Sequence, residues 1–235
     1  DTVPGTYADL EEADLIVLVG SNLAWCHPVL YQRIAAAKVA RPDMRVVNID
    51  PRRTATTDLA DLHLQITPDG DVALFNGLLA HLVSADKLDA TYTKNHVADL
   101  AETIAAARVS TPADTGLTSA ELAAFYALWA QTPKVVTVYS QGVNQSASGT
   151  DKVNAILNCH LATGRIGKPG KGPFSVTGQP NAMGGREVGG LANMLANHLE
   201  LGNPDHRQVV QDFWNSPTIC TTPGLKGVDL FQSCA

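Results

Sequence analysis

The sequence is poor in charge, in cysteine and in long apolar runs. Only 17% of its 235 residues are charged and the net charge is −6, so with no basic run it lacks the electrostatic footprint of a nucleic-acid-binding surface. Low charge beside 45% hydrophobic residues is compatible with a surface covered in part by other protein. No apolar stretch approaches the roughly 18 residues of a membrane span, and no basic-apolar-small signal opens the chain, so no membrane partner is expected. Asp1 is not an initiator, which makes a cut inside a longer protein the expectation. Cys26, Cys159, Cys220 and Cys234 are widely spaced with no C-x-x-C pair. Zinc and iron–sulfur ligation therefore have no support within the chain. A disulfide framework is not expected either, which points to a reducing, cytoplasmic setting.

Other absences narrow the chemistry. No G-x-G-x-x-G follows the first apolar run, which argues against an ordinary NAD or FAD enzyme. The stretch Gly167–Gly172, GKPGKG, lacks the G-x-x-x-x-G-K-[ST] pattern and follows a helical run, so it is not read as a phosphate loop. His63 and His81 read as structural, and His27 as a cap or packing group near a key turn. No nucleophile, base and orienting group can be assembled, so no catalytic and no metal-ligating residue is assigned.

What is present is a β-α alternation. Leu15 to Val19 is an unbroken apolar run of strand length, as in a parallel strand buried on both faces. Gly20, Ser21 and Asn22 punctuate it, and Pro28 opens a helical run with Leu30, Ile34 and Ala37 on one stripe. Strand, glycine turn and helix form the first half of a nucleotide-binding βαβ unit, with exposed N–H groups suited to phosphate. A second strand spans Arg45 to Ile49 with Asp50 at its carboxyl end, and a third apolar run covers Leu62 to Ile66. Thr67, Pro68, Asp69 and Gly70 break that run and start a helix faced by Phe75, Leu78, Leu79 and Leu82. Residues 88–107 read as helical. A capping-box pattern, Thr118 to Glu121, starts a helix whose core face is Leu122, Phe125, Tyr126 and Trp129. Lys134 to Tyr139 is a fourth strand, followed by a polar turn from Ser140 to Gln145. The next helix is expected to bury Val153, Ile156, Leu157 and Leu161.

These elements predict an α/β fold: an open parallel sheet with helices on both faces, a Rossmann-like dinucleotide-binding domain, plus a glycine-rich C-terminal extension. The domain division read from composition is 1–162 for the nucleotide-binding domain. Residues 163–235 read as a glycine-rich loop, helix and tail that pack against the rest of a larger protein. Within them, Glu187 to Leu199 reads as a helix with Val188, Leu191, Leu195 and Leu199 on one face, and one further short helix is expected past Asn203. Three polar turns follow predicted strands: Gly20–Asn22, Asp50–Arg53 and Ser140–Gln145. In an open parallel sheet those ends share one edge, where ligands bind. An acid such as Asp50 can accept from a ribose diol or the N–H edge of guanine, and Arg52 can stack on a base or pair with phosphate.

Four blocks carry a family resemblance: Leu18 to Leu30 (LVGSNLAWCHPVL); Asn48 to Thr54 (NIDPRRT) with Asp58 to Asp61 and Thr67 to Asp71 (TPDGD); Gln141 to Gln145 (QGVNQ); and Thr163 to Pro180. They resemble the molybdopterin oxidoreductase family, which includes nitrate reductases and formate dehydrogenases. Met183 to Gly190 and Pro223 to Phe231 look most like the catalytic subunit of bacterial assimilatory nitrate reductases.

The resemblance implies an oxidoreductase whose cofactor is bis-molybdopterin guanine dinucleotide, with molybdenum held by the two pterins. One α/β domain grips one guanosine end. By motif match, Gly20, Ser21, Asn22, Leu23, Ala24, Trp25 and Cys26 line the phosphate side, and Asp50, Pro51 and Arg52 meet the guanosine. Asp69 and Asp71 lie nearby, and Gln141 and Gln145 approach the pterin. It further implies conversion of nitrate to nitrite by oxygen-atom transfer, with electrons entering through a 4Fe-4S centre outside this chain from a reductase or ferredoxin-type donor. The remaining domains of the parent enzyme are implied partners. The sequence departs from the family in lacking its N-terminal cysteine cluster, its molybdenum-ligating residue and its C-terminal capping domain, and in carrying Gln141 where relatives have Met. An inactive internal fragment is therefore expected. The alternatives are a fragment of a formate dehydrogenase, or a relict non-catalytic scaffold, which should have lost Asp50, the Gly20–Asn22 turn or Gln145.

Overall fold

Parallel strands need long crossovers, and this chain spends its helices on them. The computed structural model describes residues 5–178, 181–190, 194–225 and 227–234. Two compact units emerge, Thr2–Gly178 and Gln179–Ala235. The first contains strands β1 (Leu15–Val19), β2 (Arg45–Ile49), β3 (Leu62–Leu64), β4 (Val135–Tyr139) and β5 (Gly172–Ser175). Its helices are α1 (Tyr7–Glu12), α2 (Leu23–Cys26), α3 (Pro28–Ala40), α4 (Asp71–Ser84), α5 (Ala90–His96), α6 (Leu100–Ala107), α7 (Ser119–Gln131), α8 (Gln141–Asn144) and α9 (Gly149–Ala162).

The sheet order is β3-β2-β1-β4-β5, and every pair is parallel. Strand alternation divides β1 between two cores. Leu15, Val17 and Val19 pack with Phe75 and Leu78 of α4, Trp129 of α7 and Ile156 of α9. Ile16 and Leu18 point the other way, toward Leu10 of α1 and Ile34 of α3. Both faces are covered, as the uninterrupted apolar strands require, so the predicted fold class is the observed one. Local signals hold too. The α7 capping box closes, with Thr118 N–H donating to Glu121 Oε2 at 2.8 Å and Glu121 N–H donating to Thr118 Oγ1 at 3.3 Å. Pro28 is the first residue of α3.

The structure departs from the sequence reading at four places. The third strand stops at Leu64, and buried Ile66 belongs to the following turn. The glycine-rich segment after Thr163 supplies a fifth strand, β5, and the compact α/β unit extends through Gly178. The buried stripe of α9 is Lys152, Ala155, Ile156, Cys159, His160 and Ala162, while Val153, Leu157 and Leu161 are only half-buried. Counting polar residues as outward-facing rotated that helix. His160 is buried because Thr137 Oγ1 of β4 lies 2.8 Å from its Nε2. Finally, among the described residues between Glu187 and Leu199 no α-helix continues past Glu187.

In the second unit, α10 (Ala182–Glu187) ends where Gly189 takes φ +75°, with Gly189 N–H donating to Arg186 O and Gly190 N–H to Gly185 O. Glycine in that conformation closes a helix. Leu191 lies outside the described residues, and Met194 and Glu200 form an antiparallel bridge. α11 (Pro204–Trp214) and α12 (Gly227–Ser233) follow, and Leu195, Leu201 and Val210 make a small separate core.

Buried His160 makes folding pH-dependent. Desolvation, and then the charge of Arg165, hold it well below the ordinary imidazole value of 6.5. The fold keeps His160 neutral while the unfolded chain takes up a proton. Its contribution is complete above about pH 6.5 and declines below it, by up to about 1.4 kcal/mol per pH unit. Urea denaturation at pH 7 and pH 5.5 should show wild type losing about 1 kcal/mol more than His160→Gln. Equal losses in the two proteins would contradict the burial of a neutral ring.

Candidate functional site

β1 and β4 are neighbours, yet their chains leave in opposite directions. After β1 the chain passes to α3 on the Leu10–Ile34 face, and after β4 it passes to α9 on the other face. Such a switch point opens a crevice outside the carboxyl ends of the strands. Two glycines meet there. Gly142 N–H donates to Gly20 O at 3.0 Å, and Gly20 N–H donates to Ile49 O at 3.0 Å. A Cβ on Gly142 would lie 2.8 Å from Gly20 Cα, and one on Gly20 would lie 2.9 Å from Gly142 Cα. Gly20 also has φ +51°, so no other residue suits this crossing.

A cavity of about 460 Å³ occupies the crevice, within the range of small-ligand sites. Turns after β1, β2, β3 and β4 all contribute to it. From the first come Gly20, Ser21, Asn22 and Cys26. Asn22 takes the left-handed conformation and its carbonyl accepts from Trp25 and Cys26 N–H. The phosphate-type turn therefore leads into the single-turn α2, and α3 begins only after it. Ser21 Oγ, Asn22 Oδ1 and, from the β4 side, Ser146 Oγ are buried without a partner among the described residues. Buried polar atoms seldom stay so.

Asp50 is 6% exposed and lines the cavity with Pro51 and Arg52. Its Oδ1 accepts from Arg52 N–H at 2.9 Å, an Asx turn, and Oδ2 has no partner among the described residues. His63 Nε2–H donates to Asp50 O at 3.1 Å, giving His63 the structural role expected of it. The Arg52 side chain is exposed at the rim.

After β3, Thr67, Pro68, Asp69 and Gly70 form a turn closed by Gly70 N–H to Thr67 O at 3.0 Å, with Asp69 at φ +69°. Positive φ at the third position after a proline is the type II pattern. Lys152 Nζ reaches Asp69 Oδ1 at 2.8 Å and Asp71 Oδ2 at 3.0 Å. Burial pulls the Lys152 ammonium down, but the two carboxylates outweigh it and hold it above the usual lysine value.

Of the residues singled out by sequence, the structure brings together Gly20, Ser21, Asn22, Cys26, Asp50, Pro51, Arg52, Asp69, Asp71 and Gln141 around one cavity. Four stand apart from its lining. Leu23 is fully buried in the α3-side core. Ala24 spends its N–H on Thr56 Oγ1 at 3.1 Å. Trp25 is 75% exposed, and Gln145 is exposed at the end of α8. Sequence reasoning missed Gly142, Ser146 and Lys152 in the lining, together with Ile49, Ile66, Thr67 and Pro68. Gly142 had a signal, a glycine just past a buried strand. Lys152 had none short of the fold.

The fold and cavity define an open parallel α/β domain of the dinucleotide-binding type, with a cavity at the switch point. The family model for molybdopterin oxidoreductases matches residues 4–230, and the chain belongs to that family. A nitrate reductase from Klebsiella oxytoca is 52% identical over 234 residues, which are 99% of this chain and 27% of that protein. One from Shewanella frigidimarina is 48% identical over 241 residues, 100% of this chain and 26% of that protein. The chain thus spans about a quarter of the length of these curated relatives. An acetylene hydratase from Pelobacter acetylenicus aligns over 66% of this chain and 23% of its own, with a TM-score of 0.56 at 17% identity, a likeness of fold. Among the described residues, no helix is long and apolar enough to cross a membrane.

The family implies a molybdenum–pterin cofactor. The residues present fit one end of such a group: the glycine pair admits close backbone approach, and three buried polar atoms await partners.

The glycine contact is testable. Gly142→Ala places a methyl against backbone, which should cost about 1–3 kcal/mol, read from the urea midpoint. An unchanged midpoint would show that β1 and β4 can spread without penalty.

Proposed function

We propose that this chain is the cofactor-gripping part of a molybdenum-dependent nitrate reductase, and that its cavity holds one guanosine end of a molybdopterin guanine dinucleotide. The observation that carries the reading is the convergence of unpartnered Ser21 Oγ, Asn22 Oδ1 and Ser146 Oγ on a cavity at the switch point. The names of both relatives favour nitrate over formate. The intact Gly20–Asn22 turn and Asp50 argue against a relict scaffold.

When bound, the group supplies the electron exchange by which nitrate loses an oxygen atom. The chain's own residues bind and orient. The Gly20–Gly142 crossing lets backbone approach the pyrophosphate. Ser21, Asn22 and Ser146 hydrogen-bond to phosphate or ribose oxygens. Asp50 Oδ2 accepts from nucleotide hydroxyl or N–H groups, and Arg52 supplies positive charge at the rim. Gln141 faces the pterin side, with exposed Gln145 and Trp25 beyond the cavity toward the pterin and the remaining domains of the parent. The reacting centre, its metal ligand and the 4Fe-4S centre belong to those domains. The four free cysteines support a cytoplasmic setting.

Asp50 separates ligand binding from folding. In the full-length protein, Asp50→Asn keeps an oxygen for Arg52 N–H but turns an amide donor toward nucleotide donors. Its apo melting temperature should match wild type, while cofactor affinity falls about ten- to hundredfold, the loss of a charge-assisted bond of roughly 1.5–3 kcal/mol. The readout is molybdenum and acid-released guanine nucleotide per chain. Asp50→Ala should lose both cofactor and about 1 kcal/mol of stability. Full cofactor content in Asp50→Asn, or a wild-type protein without molybdenum, would overturn the reading. The 235-residue chain alone should reduce no nitrate with a viologen donor.

A further inference from the structure

His27 sits at the junction of two helices, and its backbone serves both. Its N–H donates to Leu23 O at 2.9 Å, closing α2, and its carbonyl accepts from Tyr31 N–H at 3.0 Å in the first turn of α3. The side chain caps neither helix. Nδ1 is buried without a partner among the described residues, and Nε2–H donates to Thr177 O at 2.6 Å, 150 positions along the chain. A carbonyl only accepts, so the ring proton is on Nε2. The side chain is held at its root by two helix ends and at its tip by that bond.

Thr177 lies just past β5, a four-residue edge strand that begins with Gly172 and Pro173 and pairs with β4 alone. Such residues hold an edge weakly. Beyond Ser175, Val176 N–H donates to Tyr139 O at 3.0 Å, and Thr177 takes the bond from His27. In the sheet β4 stands between β1 and β5, so the His27–Thr177 bond joins the segment after β1 to the chain leaving β5 past the end of β4. Gln141 follows that end and meets the latched segment. A Cβ on Gly178 would lie 2.5 Å from Gln141 Nε2 and 3.1 Å from Gln141 Cδ, so the Gln141 amide rests against the backbone of Gly178. Gln141 lines the switch-point cavity, whereas His27, Thr177 and Gly178 stand outside its lining.

We propose that His27 is a positioning residue: by latching the chain that leaves β5, it seats Gly178 against Gln141 and so fixes where Gln141 stands in the cavity wall. The latch stands on this geometry alone. Its consequence for a ligand rests on the nucleotide reading above, in which Gln141 faces the pterin side. Glutamine is flexible, and a backstop that orders it beforehand lowers the entropy lost on binding. The wall of the cavity thus depends on a contact made outside it.

The test is NMR of the isotope-labelled 235-residue chain, with thermal melts to confirm each fold. His27→Phe keeps a ring and removes the donor. It should speed Val176 N–H exchange about two- to tenfold, the loss of one neutral hydrogen bond. It should also move the side-chain amide resonance of Gln141, assigned by its loss in Gln141→Met. His27→Gln, which keeps a donor, should restore both. Gly178→Ala should move the Gln141 resonance without speeding Val176, because its methyl pushes on the amide directly. A folded His27→Phe with the Gln141 resonance unmoved overturns the proposal, whether or not Val176 exchanges faster. If that variant fails to fold, His27→Asn, polar but too short to reach Thr177, is read the same way. In the full-length protein, His27→Phe should lower molybdenum per chain about two- to tenfold. Full molybdenum with a displaced Gln141 supports the latch and counts against the cofactor lying on this wall.

Discussion

The backbone contact between Gly20 and Gly142 is the constraint on which the rest of the site depends. Adjacent parallel strands that send their chains to opposite faces must let two turns cross, and here they cross with no room for a side chain on either. The hydrogen bond from Gly142 N–H to Gly20 O pins the crossing. The third turn is then fixed by β2, whose pairing with β1 in the register Val19↔Ile49 sets Asp50 one residue beyond the sheet edge. The cavity follows from strand order and two glycines, and the polar side chains around it are fitted to a space that backbone has already made.

Buried polar groups in this chain fall into two kinds. Some complete the fold, as where Thr57 Oγ1 donates to Asn48 Oδ1 at 2.8 Å between β2 and the turn that follows it. Arg165 does so in part: it stacks 3.9 Å over the Trp129 ring and its Nη2 donates to the Trp129 and Thr132 carbonyls, so its charge meets the C-terminal end of α7, while its Nη1 has no partner among the described residues. Desolvation lowers that guanidinium to about 10, still charged at neutral pH. The other kind is unfinished. Ser21, Asn22 and Ser146 line the crevice with buried atoms that have no partner among the described residues, and Asp50 and Asp69 each commit one oxygen and keep one. Unpartnered buried atoms occur in the scaffold too, at Trp129 Nε1, His160 Nδ1 and Arg165 Nη1, and what sets Ser21, Asn22 and Ser146 apart is that they line the cavity.

Much of this was legible in the sequence, and the reasons are physical. Unbroken apolar runs such as Leu15–Val19 can only be strands buried on both faces, and the turns after them must share an edge. Hence Gly20, Asp50 and Gln141 converge as expected, and Asp69, which only the family resemblance put nearby, lines the same cavity. β5 escaped because Gly172 and Pro173 are poor strand residues, tolerated at an edge where pairing with β4 is one-sided. The face of α9 escaped because Lys152 and His160 are inward-facing polar residues whose partners lie 81 and 23 positions away in the sequence, in Asp71 and Thr137. No periodicity encodes such pairs. Glu187–Leu199 kept an apolar spacing that suits a helix, and Gly189 at positive φ ended it.

Hydrogen–deuterium exchange of the 235-residue chain with and without millimolar GDP tests the central claim most directly, because it locates the ligand without presuming a contact. The account predicts slowed exchange in the turns at 20–26, 50–54, 67–71 and 140–146, with the Gly167–Lys171 loop unchanged. Slowing confined to that loop, or none at the four turns despite measured binding, would contradict a nucleotide site at the carboxyl edge of the sheet.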